Sequence, residues 1–89
     1  MRKPKVTTQF EKDVKRMERR GHEMQELSEI IAALLKGEPL DPRYKDHPLK
    51  GNYAGTRECH LEPDWLLIYK TDEEILLLMR TGSHADLFK

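Results

Sequence analysis

Two apolar runs placed close together constrain this chain more than anything else in it. Residues 65–70 (WLLIYK) and 75–80 (ILLLMR) are separated only by the polar stretch Thr71 to Glu74. Each run is short and bounded by turn residues, and it lacks the 3.6-residue period of an amphipathic helix. Both therefore read as strands, and their unbroken apolar character predicts cover on both faces. The four-residue connection makes them antiparallel neighbours. Whatever the rest of the chain does, it has to bury this hairpin.

The first half supplies the cover. Residues 3–7 read as a short strand, with Val6 and Thr7 as its β-branched members. Thr8 is placed as a helix N-cap, with Glu11 three residues on at capping-box spacing. Phe10, Val14 and Met17 recur at helical spacing and predict an amphipathic helix over 9–20, ended at Gly21. Met24, Leu27, Ile30, Ile31, Leu34 and Leu35 mark a second helix over 23–36. Gly37 closes it, and Pro39 and Pro42 prevent its resumption. The short connection between the two predicts an αα-hairpin.

In the second half, residues 44–51 form a loop. Residues 53–61 read as a strand with Arg57, Cys59 and Leu61 on one face and Thr56, Glu58 and His60 on the other. Pro63 and Asp64 interrupt before the hairpin, and a polar tail follows Gly82. The order β-α-α-β-β-β predicts a single α+β domain over 1–89: an antiparallel meander with helices on one face and the other face free for a site.

Composition narrows the function classes. The 89 residues carry sixteen basic and sixteen acidic side chains, for a net charge of +0, which argues against bulk electrostatic gripping of nucleic acid. Residues 1–20 nevertheless hold an excess of five positive charges. They are either a basic face or ordinary solvated helix charges. No apolar run approaches the roughly 20 residues that span a bilayer, and the N-terminus lacks a secretory h-region. A cytoplasmic location without membrane contact is the expectation. The lone Cys59 excludes an internal disulfide and a multi-cysteine zinc site. It reads as a small buried residue rather than a nucleophile.

The chemistry-bearing residues gather in the second half. His47, His60 and His84 stand in polar contexts near strand ends, and Asp64 lies just before a strand. Arg80 is the one charge in its apolar run. His22 sits apart, in the helix–helix turn, and reads as a surface residue. Three readings stay open from the residues alone. One is metal-independent phosphodiester cleavage, since histidine titrates near neutrality and an arginine fork suits phosphate. Another is a His/Asp metal site, which no local ligand spacing supports. The third is histidines scattered without a common role. Trp65 and Tyr69 read as sheet core, with an aromatic at a cleft rim able to stack on a base.

Residues 44–51 (YKDHPLKG), 57–70 (RECHLEPDWLLIYK) and 80–88 (RTGSHADLF) resemble, in order and spacing, the YafQ family of bacterial toxins, within the RelE/ParE superfamily. The resemblance implies a RelE-like fold and a ribosome-dependent endoribonuclease of a type II toxin–antitoxin pair. Such a toxin cuts mRNA in the ribosomal A site. It also implies a cognate antitoxin that forms a heterotetrameric complex with the toxin, and operator DNA contacted only through that complex. On this resemblance the catalytic positions are His47, His60, Asp64 and His84, without metal or other cofactor. Arg80 would hold phosphate oxygens, and Trp65 and Phe88 would pack under or stack on a base. Asp64 would act as base and His84 as acid; the alternative has His47 or His60 as base. The contrasting expectation on the same fold is a ParE-like gyrase inhibitor, which has no use for the His/Asp set.

Overall fold

The computed structural model describes residues 1–88. The chain runs β1 (Lys3–Val6), α1 (Thr8–Arg19), α2 (Met24–Lys36), β2 (His47–Pro48), β3 (Arg57–Glu62), β4 (Trp65–Thr71), β5 (Ile75–Gly82) and α3 (His84–Leu87), with single 3-10 turns at Pro42–Tyr44 and Gly51–Tyr53. The α+β class and the central hairpin agree with the sequence. The five strands form one sheet in the order β1-β5-β4-β3-β2.

Three expectations need correction. The sheet is not a purely antiparallel meander, because β1 lies parallel to β5, Lys3 opposite Ile75 and Val6 opposite Leu78. A parallel partner requires a long crossover, and everything from α1 to β4 serves as one. β1 is an edge strand, which is where Pro4 is tolerated. The second correction is at the start of α1. The N-cap is Thr7, not Thr8: its hydroxyl oxygen accepts from the Phe10 amide at 2.9 Å and donates to the Met79 carbonyl at 2.8 Å. That bridge to β5 sets the helix start one residue early and leaves Glu11 outside a capping box.

The third concerns the second face of the sheet, which is partly covered rather than free. Phe10, Met17, Leu27, Ile30 and Leu34 from the helices pack on Cys59, Trp65, Leu67, Tyr69, Leu76 and Leu78. On the opposite face, Leu66 and Ile68 are covered by Leu87, Leu49, Tyr53 and Met79. The tail after Gly82 is therefore partly a helix, α3, whose N-cap Ser83 forms a capping box with Asp86. β4 is buried on both sides, as its continuous apolar run requires.

Candidate active site

Strand register brings the histidines together. His47 lies opposite Glu58 in the antiparallel β2–β3 pair. His60 lies opposite Leu66, and Leu66 opposite Gly82, two residues before His84. The ring centroids of His47 and His60 are 5.9 Å apart, those of His60 and His84 also 5.9 Å, and those of His84 and Phe88 6.4 Å. The result is one row of imidazoles along an open rim, ending at an exposed phenyl ring.

Each histidine is oriented by a carboxylate or a carbonyl. The His84 ring N–H at Nδ1 donates to Asp64 Oδ1 at 2.7 Å, and the His84 backbone N–H donates to the same oxygen at 2.8 Å. These two bonds, the backbone one foremost, hold the Asp64 carboxyl below the usual carboxylate range. His84 is half exposed, and its Nε2 stays outside the Asp64 contact. His47 donates from Nδ1 to the Lys45 carbonyl at 2.6 Å. Lys45 adopts a left-handed backbone conformation, φ 51°, unusual for a residue with a side chain. The opposite nitrogen of His47 lies 3.1 Å from Glu58 Oε2, and His60 Nε2 lies 3.4 Å from the same oxygen.

Glu58 is the residue sequence reasoning missed as part of the site. It is buried, and among the described residues its Oε1 has no partner. The signal was present in its alternation with His60 on one strand face, but a glutamate in a strand reads by default as solvated. Asp46, also passed over, accepts from Arg57 Nε at 2.9 Å and from the Tyr69 hydroxyl, and so fixes the loop before His47.

Arg80 and Phe88 lie on this side of the molecule. The Asp13 carboxylate foremost, with Tyr53 a lesser influence, favours the Arg80 charge, and the Tyr53 ring packs edge-on against Phe88 at 5.5 Å. Arg80 is not a free cation, since Nε and Nη2 donate to Asp13. Trp65 is fully buried in the core on the helix side and donates from Nε1 to Thr81 Oγ1 at 2.9 Å. It therefore offers no ring face to a base and can serve only as packing beneath the site. His22 is partly buried rather than a free surface residue, its ring 4.7 Å from Trp65. Cys59 is fully buried, and burial pushes its thiol up to about 12, which leaves it inert.

Fold and site together define a small α+β protein, helices packed on a five-stranded sheet, with a histidine–carboxylate row at one end of that sheet. A family model described as a bacterial toxin of type II toxin–antitoxin system, YafQ, matches residues 2–89. The chain is 46% identical over 81 residues, 90% of its length and 88% of the relative's, to the mRNA interferase toxin YafQ of Escherichia coli K12. It superposes with TM-score 0.93 and 42% identity on the E. coli DinJ–YafQ complex, all of both chains being covered. A metal-bound toxin from Helicobacter pylori superposes with TM-score 0.92 at 42% identity, covering 99% of this chain and 100% of that one. The chain belongs to the YafQ family of toxins.

Proposed function

We propose that this protein is an endoribonuclease toxin that cuts mRNA in the ribosomal A site by metal-independent acid–base chemistry. The observation that carries the reading is His84, held twice by Asp64 with its second ring nitrogen outside that contact, 5.9 Å from the Glu58-backed His60. A 2′-hydroxyl attacks the adjacent phosphorus, the bond to the 5′-oxygen breaks, and the products are a 2′,3′-cyclic phosphate and a free 5′-hydroxyl. His60 takes the 2′-hydroxyl proton, and His84 gives a proton to the leaving 5′-oxygen; His47 has both ring nitrogens turned to acceptors, the Lys45 carbonyl and Glu58. Asp64 is a poor base because its carboxyl is held low. Its part is to fix the His84 ring, which inverts the expectation of Asp64 as base. Arg80 offers its remaining N–H groups to the phosphate oxygens, and Phe88 offers a stacking face to a base.

By analogy with the relative solved with DinJ, the partner is a cognate antitoxin. The two form a heterotetramer, and operator DNA is bound through that complex. Ribosomes place the action in the cytoplasm; among the described residues no helix is long and apolar enough to cross a membrane. The excess positive charge of residues 1–20 suits ribosomal RNA phosphates. The test is cleavage of a defined mRNA on a programmed ribosome, wild type beside His84→Ala, with parallel reactions in EDTA or without ribosomes. Cuts that survive EDTA and vanish in the variant and without ribosomes are expected. Uncut mRNA with folded wild-type protein would turn the reading toward the gyrase inhibitor.

A second reading of part of the site rests on a separate observation. Ligand atoms of His47, Glu58 and His60 all lie within 4.8 Å of one another, a donor set that suits a transition metal, and a relative is described as metal-bound. A metal there would occupy the nitrogens that acid–base cleavage needs, so it inhibits rather than activates. Titration with zinc or copper ions, with Glu58→Gln as control, tests this: inhibition matched to binding is expected, and stimulation would reverse it.

A further inference from the structure

Asp13 is a fully buried carboxylate in the middle of α1, and none of the chemistry above uses it directly. It sits on the same helical stripe as Phe10 and Met17, where an apolar side chain would fill the space without the cost of burying a charge. Five donors surround it. Arg80 Nε reaches Oδ2 at 2.7 Å and Arg80 Nη2 reaches Oδ1 at 3.2 Å. The Thr81 backbone N–H reaches Oδ2 at 3.1 Å, Gln9 Nε2 reaches Oδ1 at 3.1 Å, and Arg16 Nη2 lies 3.0 Å from Oδ1. Arg16 in turn donates to the Thr81 carbonyl at 3.2 Å. Asp13 thus grips the guanidinium of Arg80 along one edge and clamps the backbone three residues before His84.

We propose that Asp13 is a positioning residue for RNA cleavage: it locks the Arg80 guanidinium so that its outer edge faces the scissile phosphate beside His84. The inference rests on the nuclease reading. An arginine on a strand carries four rotatable side-chain bonds, and a fork that binds phosphate is useful in the transition state only if it is already oriented. The edge taken by Asp13 leaves Nη1 outside the pair, and strand register sets Arg80 opposite Ile68, on the face that Tyr53 and Leu87 cover.

The test is single-turnover mRNA cleavage on programmed ribosomes, over a range of toxin concentrations, for wild type, Asp13→Asn, Arg80→Ala and the double variant. Asparagine keeps the size but turns an amide N–H₂ toward donors that need an acceptor. The expected result is a roughly tenfold or larger fall in the saturated rate of Asp13→Asn, with the half-saturating concentration changed less than about twofold. In the Arg80→Ala background the same change should cost less than about twofold, because Asp13 has lost the group it acts through. A wild-type saturated rate in Asp13→Asn overturns the proposal, and so does an equal fold-loss in both backgrounds. Should Asp13→Asn melt below the assay temperature, Arg80→Ala with added guanidinium ion decides, since the emptied slot still presents the Asp13 carboxylate. Restored cleavage above a sodium chloride control is expected, and no restoration overturns the proposal. Wild-type cutting in the same series keeps a failure of this inference distinct from a failure of the nuclease reading.

Discussion

Asp64 and His84 are joined twice through a single oxygen: Oδ1 accepts the ring N–H at 2.7 Å and the backbone N–H at 2.8 Å. The first bond fixes which ring nitrogen is left outside the pair, and the second fixes where α3 begins. Because Asp64 is largely exposed, it contributes orientation without being part of the core. Asp64→Asn should therefore leave the melting temperature close to that of wild type while lowering ribosomal cleavage by about a hundredfold, the usual scale of a positioned acid or base. Circular dichroism melting beside a single-turnover assay checks both halves. A variant that cuts at the wild-type rate would remove Asp64 from the site.

Acid should loosen the C-terminal segment. Arg20 donates to Asp86 at 2.6 and 3.0 Å. That bond, assisted by the Ser83 capping box, holds the Asp86 carboxyl well below the usual carboxylate range, against a smaller upward push from burial. A depressed folded value contributes stability that is fully present above the unfolded value of about 3.9 and is lost as pH falls through the folded one. Wild type should lose melting temperature progressively below about pH 4. Asp86→Asn should start lower at neutral pH and show a flatter slope in that window. Equal slopes would mean the Arg20 pair contributes nothing to folding.

Gly82 is required by the packing of Asp86 beside Arg16. A Cβ there would sit 2.8 Å from Arg16 Nη2 and 2.9 Å from both Cβ and Oδ2 of Asp86. The Arg16 end can swing away, but Asp86 Cβ is fixed within α3. Gly82→Ala should push α3 outward, cost about 1–3 kcal/mol, and lower cleavage by carrying His84 with it. Amide hydrogen exchange over residues 83–88 reads the displacement; unchanged protection there would contradict it.

Much of this architecture was legible because hydrophobic period carries it. The helices, the buried hairpin and the His47–His60–His84 grouping follow from stripes and strand ends. What escaped were features decided by partners distant in sequence. The parallel docking of β1 on β5 leaves no local mark, since Lys3–Val6 carries no strong pattern of its own. Thr7 outcompetes Thr8 as N-cap because it also reaches Met79, 72 residues away. Asp13 and Glu58 carry no local mark of burial, since acidic residues in helices and strands are mostly exposed. Only the convergence of Arg80, Thr81 and Arg16, or of His47 and His60, makes their burial affordable.

Trp65 and Phe88, both aromatic residues assigned to a base, should separate cleanly under substitution. Trp65 is fully buried and its indole N–H donates to Thr81 Oγ1, whereas Phe88 is 42% exposed against Tyr53. Trp65→Phe removes a buried donor and leaves a small void, costing about 1–3 kcal/mol. In a domain this small that is a fall in Tm of roughly 4–8 °C per kcal/mol. Below that Tm the variant should cut with a near-normal half-saturating concentration. Phe88→Ala touches little of the core, so its Tm should stay within a few degrees of wild type. The loss of one stacking face, worth about 1–3 kcal/mol per base, should instead weaken productive engagement of mRNA about tenfold. Melting curves beside cleavage titrations on programmed ribosomes read both variants. If Phe88→Ala proves the less stable of the two and binds normally, then Phe88 is packing for Tyr53 and α3 and takes no part in holding RNA.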